Sequence, residues 1–361
     1  MAHYGEGFAI LVRMEYFDVE KLLKDVKTVN AQSQYWMVRS MSGDYFHEFI
    51  SRGYIAIGYN EISLQEIKFA ISKEEKANEQ LRGTIDLKIA KGEMLDASGE
   101  EPNSQYVAPQ LLKFCRDIKI NDIIVIPGKN SDNLAIARID SVVYEEKNIS
   151  HLDGVCQFNK RRKITVLRTL LRSSLSPKMQ LMFNSRHIVS NIDSYAPFVD
   201  SCVSDFYEKD DEVHLVLRIK TEDDVNTQSF FSLYKLFQVT ENFCKQNGID
   251  GTVADMIMKV QMESPGDLRL SARNKMFIWM VALTILGVNG GGLNIKAGNF
   301  SFDLSTGGLI EKFNDFLDHE VDRDTKESIK CALDSLEINT PEDFKTAIDL
   351  LHEQNSVREK Y

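Results

Sequence analysis

The chain has 361 residues, 43% of them hydrophobic and 27% charged, and carries a formal net charge of −11. That length calls for two or three domains rather than one. The acidity argues against a protein coated all over by nucleic acid, though not against a local basic face.

The five cysteines (Cys115, Cys156, Cys202, Cys244 and Cys331) are scattered, with no Cys-x-x-Cys spacing and no Cys/His grouping. This argues against a disulfide framework or structural zinc and favours a reducing cytoplasm. Near the N-terminus, the apolar run Phe8 to Val12 is followed closely by Arg13, Glu15 and Asp18, unlike a secretory signal.

In chain order, Phe8 to Met14 reads as a strand and Val19 to Lys27 as a short helix. A strand at Tyr35 to Arg39 follows, then a helix over Asp44 to Ser51 with Phe46, Phe49 and Ile50 on one face. Gly53 is placed as a C-cap glycine, and Tyr54 to Gly58 is a short apolar strand. Ser63 to Lys91 has helical periodicity, with Ser63 and Glu66 spaced as a capping box. Asp96 to Ser104 is polar and turn-rich, so it predicts a loop, and Ala108 to Asp117 a helix.

Ile123 to Pro127 and Leu134 to Val143 predict a hairpin around Gly128-Lys129-Asn130-Ser131-Asp132. Lys163 to Leu167 suggests a last strand and Ser176 to Phe183 a short helix. Pro197 and a polar run place a domain boundary near Asp193 to Asp205, separating a 1–195 domain from a 206–361 domain. In the second, Glu212 to Lys220 alternates as a strand, and Asn226 to Gln246 is a helix stopped by Asn247-Gly248. The acidic stretch Asp205 to Glu212 reads as a solvated patch. Met256 to Glu263 is a strand ended by the turn Ser264-Pro265-Gly266, and Arg273 to Val288 an apolar helix. Short strands near Ile295 and Phe302 precede a helical tail from Gly308 to Glu353, with a helix start at Thr340-Pro341-Glu342-Asp343. The apolar run Met276 to Val288 is shorter than the roughly 20 residues of a membrane-spanning helix, so it predicts a core helix and no stable membrane insertion.

Four short features point to a fold. They are Trp36-x-x-Arg39 followed by Gly43; Gly53-Tyr54-Ile55-Ala56-Ile57-Gly58-Tyr59; Ile120-Asn121-Asp122-Ile123-Ile124-Val125-Ile126-Pro127; and Ala135-Ile136-Ala137-Arg138-Ile139. In order and spacing, residues 35–190 resemble the PUA-like and EVE-like superfamily, in the version fused to Mrr-like restriction and other prokaryotic defence proteins. Tyr59 stands where that family more often has Trp, and Ala137 where it has Gly. The expected fold class is therefore α+β: a PUA-like mixed β-barrel with helices, then a smaller α+β domain with a helical tail.

The resemblance implies nucleic-acid binding, DNA more than RNA, with a modified or flipped base held in an aromatic cage. A base taken out of its stack needs π-faces to replace its neighbours and polar groups for its edge. Trp36 and Tyr59 are the expected walls; Arg39, Ser40 and Asn60 the expected edge or phosphate contacts; Lys129 and Asn130 the hairpin tip beside them. The alternative is that Trp36 is a barrel-core residue and Arg39 a solvated strand residue.

A basic tract gives a second pointer. Lys160, Arg161, Arg162, Lys163, Arg168, Arg172, Lys178 and Arg186 occur with no acid among them. Phosphate backbones attract such a tract, and so does an acidic protein face.

No catalytic constellation stands out. Asp86-x-Lys88 and Glu66-x-Lys68 have the spacing of a metal-nuclease pair but fall in helical sequence. Gly287 to Gly292 follows a helix instead of preceding one, which is the wrong geometry for a phosphate loop. The expectation is a nucleic-acid sensor of a prokaryotic anti-phage or restriction-type system rather than an enzyme, with residues 206–361 as an effector or assembly module, with no cofactor and no metal, acting with a second copy or a partner protein. A small-nucleotide sensor and a divergent metal nuclease are the alternatives.

Overall fold

The computed structural model describes residues 27–95, 99–149, 154–221, 226–260, 266–289 and 307–346. The expected elements at 8–14, at 19–26 and near 295 and 302 lie outside them. The chain is α+β and divides into two compact units, one of residues 32–203 and one that joins the earliest residues to those from 204 onward. The boundary therefore falls at 203/204. The first described strand, β1 (Lys27–Thr28), pairs in parallel with Phe206–Lys209 and so belongs to the later unit, not to the 1–195 domain expected from sequence.

The 32–203 unit is built on a curled mixed sheet. Its strands are β2 (Tyr35–Val38), β3 (Tyr54–Ile57), β4 (Ile123–Pro127), β5 (Asn133–Ile139), β6 (Tyr144–Glu145), β7 (Lys160–Leu171) and β8 (Val189–Asn191). The order across the sheet is β3-β7-β5-β4-β2-β8, with β6 also on β7. β2 and β4 run parallel, Tyr35 opposite Ile123; the other pairs are antiparallel. β7 is long enough to serve two neighbourhoods. Its first four residues pair with β3 and its remainder with β5, with a bulge between Ile136 and Ala137 that helps the sheet curl.

Both faces of this sheet are covered. Trp36, Val38, Ile124, Ile126, Ala135 and Ala137 face one core, under helices α1 (Phe46–Arg52), α2 (Leu64–Ile71), α3 (Ala77–Ala90) and α4 (Ser104–Leu112). Tyr35, Met37, Ile123, Val125, Leu134 and Ile136 face a second core, closed by α5 (Pro177–Gln180) and α6 (Ala196–Val203). A strand buried on both faces reads as an unbroken apolar run, as β2 and β4 do.

Several local signals act as expected. Gly53 ends α1 in the left-handed conformation (φ 66). Ser63 and Glu66 form the capping box of α2. The stretch 63–91 is nevertheless two helices, divided by a turn at Glu74–Lys76 where Glu74 takes φ +51. α4 begins inside the expected loop, because Asn103 caps it by accepting the Gln105 N–H.

The second unit carries the sheet β1-β9-β10-β12-β11, with β9 (Phe206–Lys209), β10 (Glu212–Ile219), β11 (Ile257–Val260) and β12 (Gly266–Ala272). Of the acids expected to form a solvated patch, Asp210 and Asp211 are exposed and make the turn of a hairpin, while Asp205 is buried. Asp210 and Asp211 both take positive φ (53 and 61), the conformation that lets a two-residue turn follow the strand twist. Gly266 opens a strand and is not only part of a turn.

Helices α7 (Thr227–Gln246), α8 (Lys275–Val288), α9 (Gly307–His319) and α10 (Arg323–Ser335) enclose the core of this unit. Every residue of α8 from Met276 to Ile285 is buried, so this is a core helix. Among the described residues, no helix is long and apolar enough to cross a membrane.

A reciprocal pair of caps ties the helical turn at 342–346 to β9. The Asp205 carboxylate accepts the Glu342 and Asp343 N–H groups, and Asp343 accepts the Ser204 hydroxyl and the Asp205 N–H. Burial, with the Asp343 charge second, raises the Asp205 carboxyl above its ordinary range. A carboxyl raised on folding takes its proton in the native state first, so stability grows as pH falls through that raised value toward the ordinary carboxylate range. Thermal melts from neutral pH down to the ordinary aspartate range should therefore show a larger gain for the wild type than for Asp205→Asn, which has no charge to neutralise.

Candidate nucleic-acid interface

Trp36 does not form a wall of an open site. It is 4% exposed in the core, and its indole Nε1 donates to Asp122 Oδ2 at 3.0 Å. The alternation of β2 sends Trp36 and Val38 to the same covered face. Asp122 also accepts the Gln34 N–H at 3.0 Å and the Lys119 N–H at 2.8 Å, so one buried carboxylate joins β2 to the entry of β4.

The start of the basic tract is also internal. Lys160 is fully buried and donates to the Tyr59 and Ile62 carbonyls and to Asn159 Oδ1. Burial pushes its ammonium down to about 8. Arg161 donates to the Phe158 and Cys156 carbonyls and lies 4.2 Å over the Tyr54 ring. Arg162 donates to the carbonyls of Phe114, Ser141 and Cys115. These three cations serve main-chain carbonyls of neighbouring turns and of the segment after α4. They correct the expectation of one exposed island from 160 to 186. Lys163 and Arg186 are exposed and Arg168 is half-buried. Arg172 lies over Phe183, and Lys178 over Phe198.

Arg39 is also a structural donor, to the Phe183 and Ser185 carbonyls, and burial lowers its basicity. Ser40 is buried and donates to the Pro127 carbonyl. Asn60 donates to the Gln157 carbonyl and accepts the Asn159 N–H, which fixes the turn after β3 against the segment before β7.

The sequence did not single out Tyr45 and Phe158, which the structure brings together. Their rings meet edge to face, with centroids 5.3 Å apart at 84°. Both are half-buried, as is Tyr59. Gly58 makes room for this arrangement, since a Cβ there would lie 3.1 Å from Phe158 Cε1. Tyr45 precedes a helix start, and Phe158 is a single aromatic between Gln157 and Asn159; an aromatic residue in a polar tract is the only signal the sequence offered.

Strained backbone flanks the pair. Met41 and Ser42 take φ 52 and 55, Tyr59 takes 61, and Asn130 and Ser131 take 53 and 59. Such clusters are over-represented at binding sites. Gly43 (φ +97) lies against the hairpin tip so closely that a Cβ would stand 2.2 Å from the Lys129 nitrogen. This contact places the exposed Lys129 and Asn130 beside the loop that carries Tyr45. Gly43→Ala should cost about 2–4 kcal/mol, from a backbone clash added to an unfavourable φ, and thermal denaturation would measure it.

The 32–203 unit holds 22 of the 43 Lys and Arg residues but only 21 of the 54 Asp and Glu residues, so the excess negative charge belongs to the rest of the chain. The nuclease-like spacings are accounted for by helix contacts. Glu66 serves the α2 capping box and pairs with Lys88 at 3.0 Å, and Asp86 lies on α3. Among the described residues, no group of three or more His, Cys, Asp or Glu is placed to hold a metal ion.

Comparison with protein-family models, curated proteins and solved structures finds no match. The reading of the site rests on its own geometry.

Proposed function

We propose that the 32–203 unit binds nucleic acid through an unstacked base, with Tyr45 and Phe158 as the ring contacts and Lys129 at the phosphates. The observation that carries this reading is the half-buried, edge-to-face pair set among turns of strained backbone, next to a cationic hairpin tip. Two perpendicular rings offer a face to stack on and an edge to abut, which is what a base out of its helix lacks. The near balance of charge in this unit permits the approach of a polyanion despite the acidity of the whole chain. The motif order that resembles PUA-like and EVE-like domains supports the same reading, with the wall moved from Trp36 to Tyr45 and Phe158.

The test is anisotropy with labelled single- and double-stranded oligonucleotides from 50 to 300 mM salt. Tyr45→Ala should weaken binding about ten- to a hundred-fold, the range of one lost base–aromatic stack. Lys129→Glu should weaken it for every sequence and reduce the salt slope by about one or more. Unchanged binding by Tyr45→Ala, in protein that melts normally, would overturn the assignment.

A further inference from the structure

The outer edge of β7 is open along its second half. On that side β3 pairs only with Lys160 to Lys163, and the Ile164 N–H donates to the Gly53 carbonyl at 2.9 Å. Beyond it, no strand among the described residues pairs with the edge. The register decides which groups point outward. Arg172 donates its N–H to the Asp132 carbonyl, on the β5 side. In an antiparallel ladder such bonds alternate, so Leu171 and Thr169 direct their N–H and C=O away from β5; the Leu171 carbonyl accepts the Ser174 hydroxyl at 2.7 Å, so the outward groups that remain are the Thr169 N–H and C=O and the Leu171 N–H. Leu171 is 63% exposed and Leu167 37%, which sets apolar side chains beside those backbone groups.

We propose that this edge, from Thr169 to Leu171 beyond the bulge at Leu167, accepts an extended acidic peptide as an added strand. Three observations select that occupant. The Thr169 N–H and C=O and the Leu171 N–H are matched by another peptide backbone, which a phosphodiester chain cannot do, having no N–H group to offer the outward Thr169 carbonyl. The exposed leucines favour side chains over phosphates. From Lys160 to Asn191 the chain has no acidic residue, and Lys163 and Arg172 bracket the edge. Cations along an edge oppose the pairing of two copies of this chain and leave it open to a strand of opposite sign.

The full-length protein is titrated with a capped eight-residue peptide alternating valine and glutamate, with its valine/lysine counterpart, and with an eight-nucleotide single strand. Amide exchange at Thr169 and Leu171 is followed by NMR. The acidic peptide should slow exchange at both by at least ten-fold at saturation, and the apparent affinity should fall several-fold between 50 and 300 mM salt. Thr169→Pro removes an outward N–H without touching the β5 ladder and should abolish the protection; Leu171→Glu should weaken it through like charge. Protection by neither peptide, or equal protection by both, overturns the proposal. Protection by the oligonucleotide alone would assign the edge to nucleic acid. Because Tyr45→Ala leaves this edge intact, peptide protection should persist in that variant, which separates the outcome from that of the base-binding reading.

Discussion

Asp122→Ala should lower the thermal stability of the 32–203 unit by about 3–5 kcal/mol, a drop of about 10 °C in melting temperature. The carboxylate is 2% exposed and accepts three donors, the Trp36 indole and the Gln34 and Lys119 amides. Alanine leaves the buried Trp36 indole without an acceptor, which costs about 1–3 kcal/mol, and strips the partly buried Gln34 and Lys119 amides of theirs, at about 1 kcal/mol each. Asp122→Asn keeps one acceptor oxygen and adds an amide with no matching acceptor, so it should recover only part of the loss. Differential scanning calorimetry on the three proteins measures the order. Equal stability of the wild type and the alanine variant would show that water replaces the carboxylate, and that the Trp36 contact does not hold β2 in place.

The second large effect separates buried from exposed members of one charge run. Arg162→Glu should destabilise by more than about 4 kcal/mol, because it places a carboxylate against the Phe114, Ser141 and Cys115 carbonyls where a guanidinium had served all three. Lys163→Glu, on the exposed side of the same strand, should change the melting temperature by only about 2 °C. A triple reversal of Arg161, Arg162 and Lys163 would thus abolish binding by unfolding the sheet, which makes it an uninformative test of an interface. Melts and oligonucleotide binding on the same single variants resolve the two effects. Near-native stability of Arg162→Glu would mean that the loop carbonyls find other donors.

The pattern of success in reading the chain follows from the range of each signal. Signals confined to a few neighbouring residues were legible: the Ser63/Glu66 capping box, the Gly53 cap, the hairpin around Lys129 and the apolar core helix at 276–285. What failed depended on partners distant in sequence. β2 is apolar on both faces, so no alternation marks which side of Trp36 is open. Lys160 to Arg162 read as surface because cations are seldom buried, and the carbonyls that hold Arg162 belong to residues 114, 115 and 141. The acidic stretch reads as solvated, which holds for Asp210 and Asp211 in their left-handed turn but not for Asp205, buried against the distant Glu342 and Asp343 amides. Tyr45 and Phe158 are 113 positions apart, and nothing local to either announces the other.

The seating of Gly43 on the Lys129 backbone has a mechanical consequence. Two loops that touch main chain to main chain, with no side chain between them to act as a cushion, cannot breathe independently. The loop that carries Tyr45 and the Lys129 tip therefore hold their spacing. On the proposed reading, a base that docks there would draw little ordering entropy from the host, and selectivity would come from fit rather than remodelling.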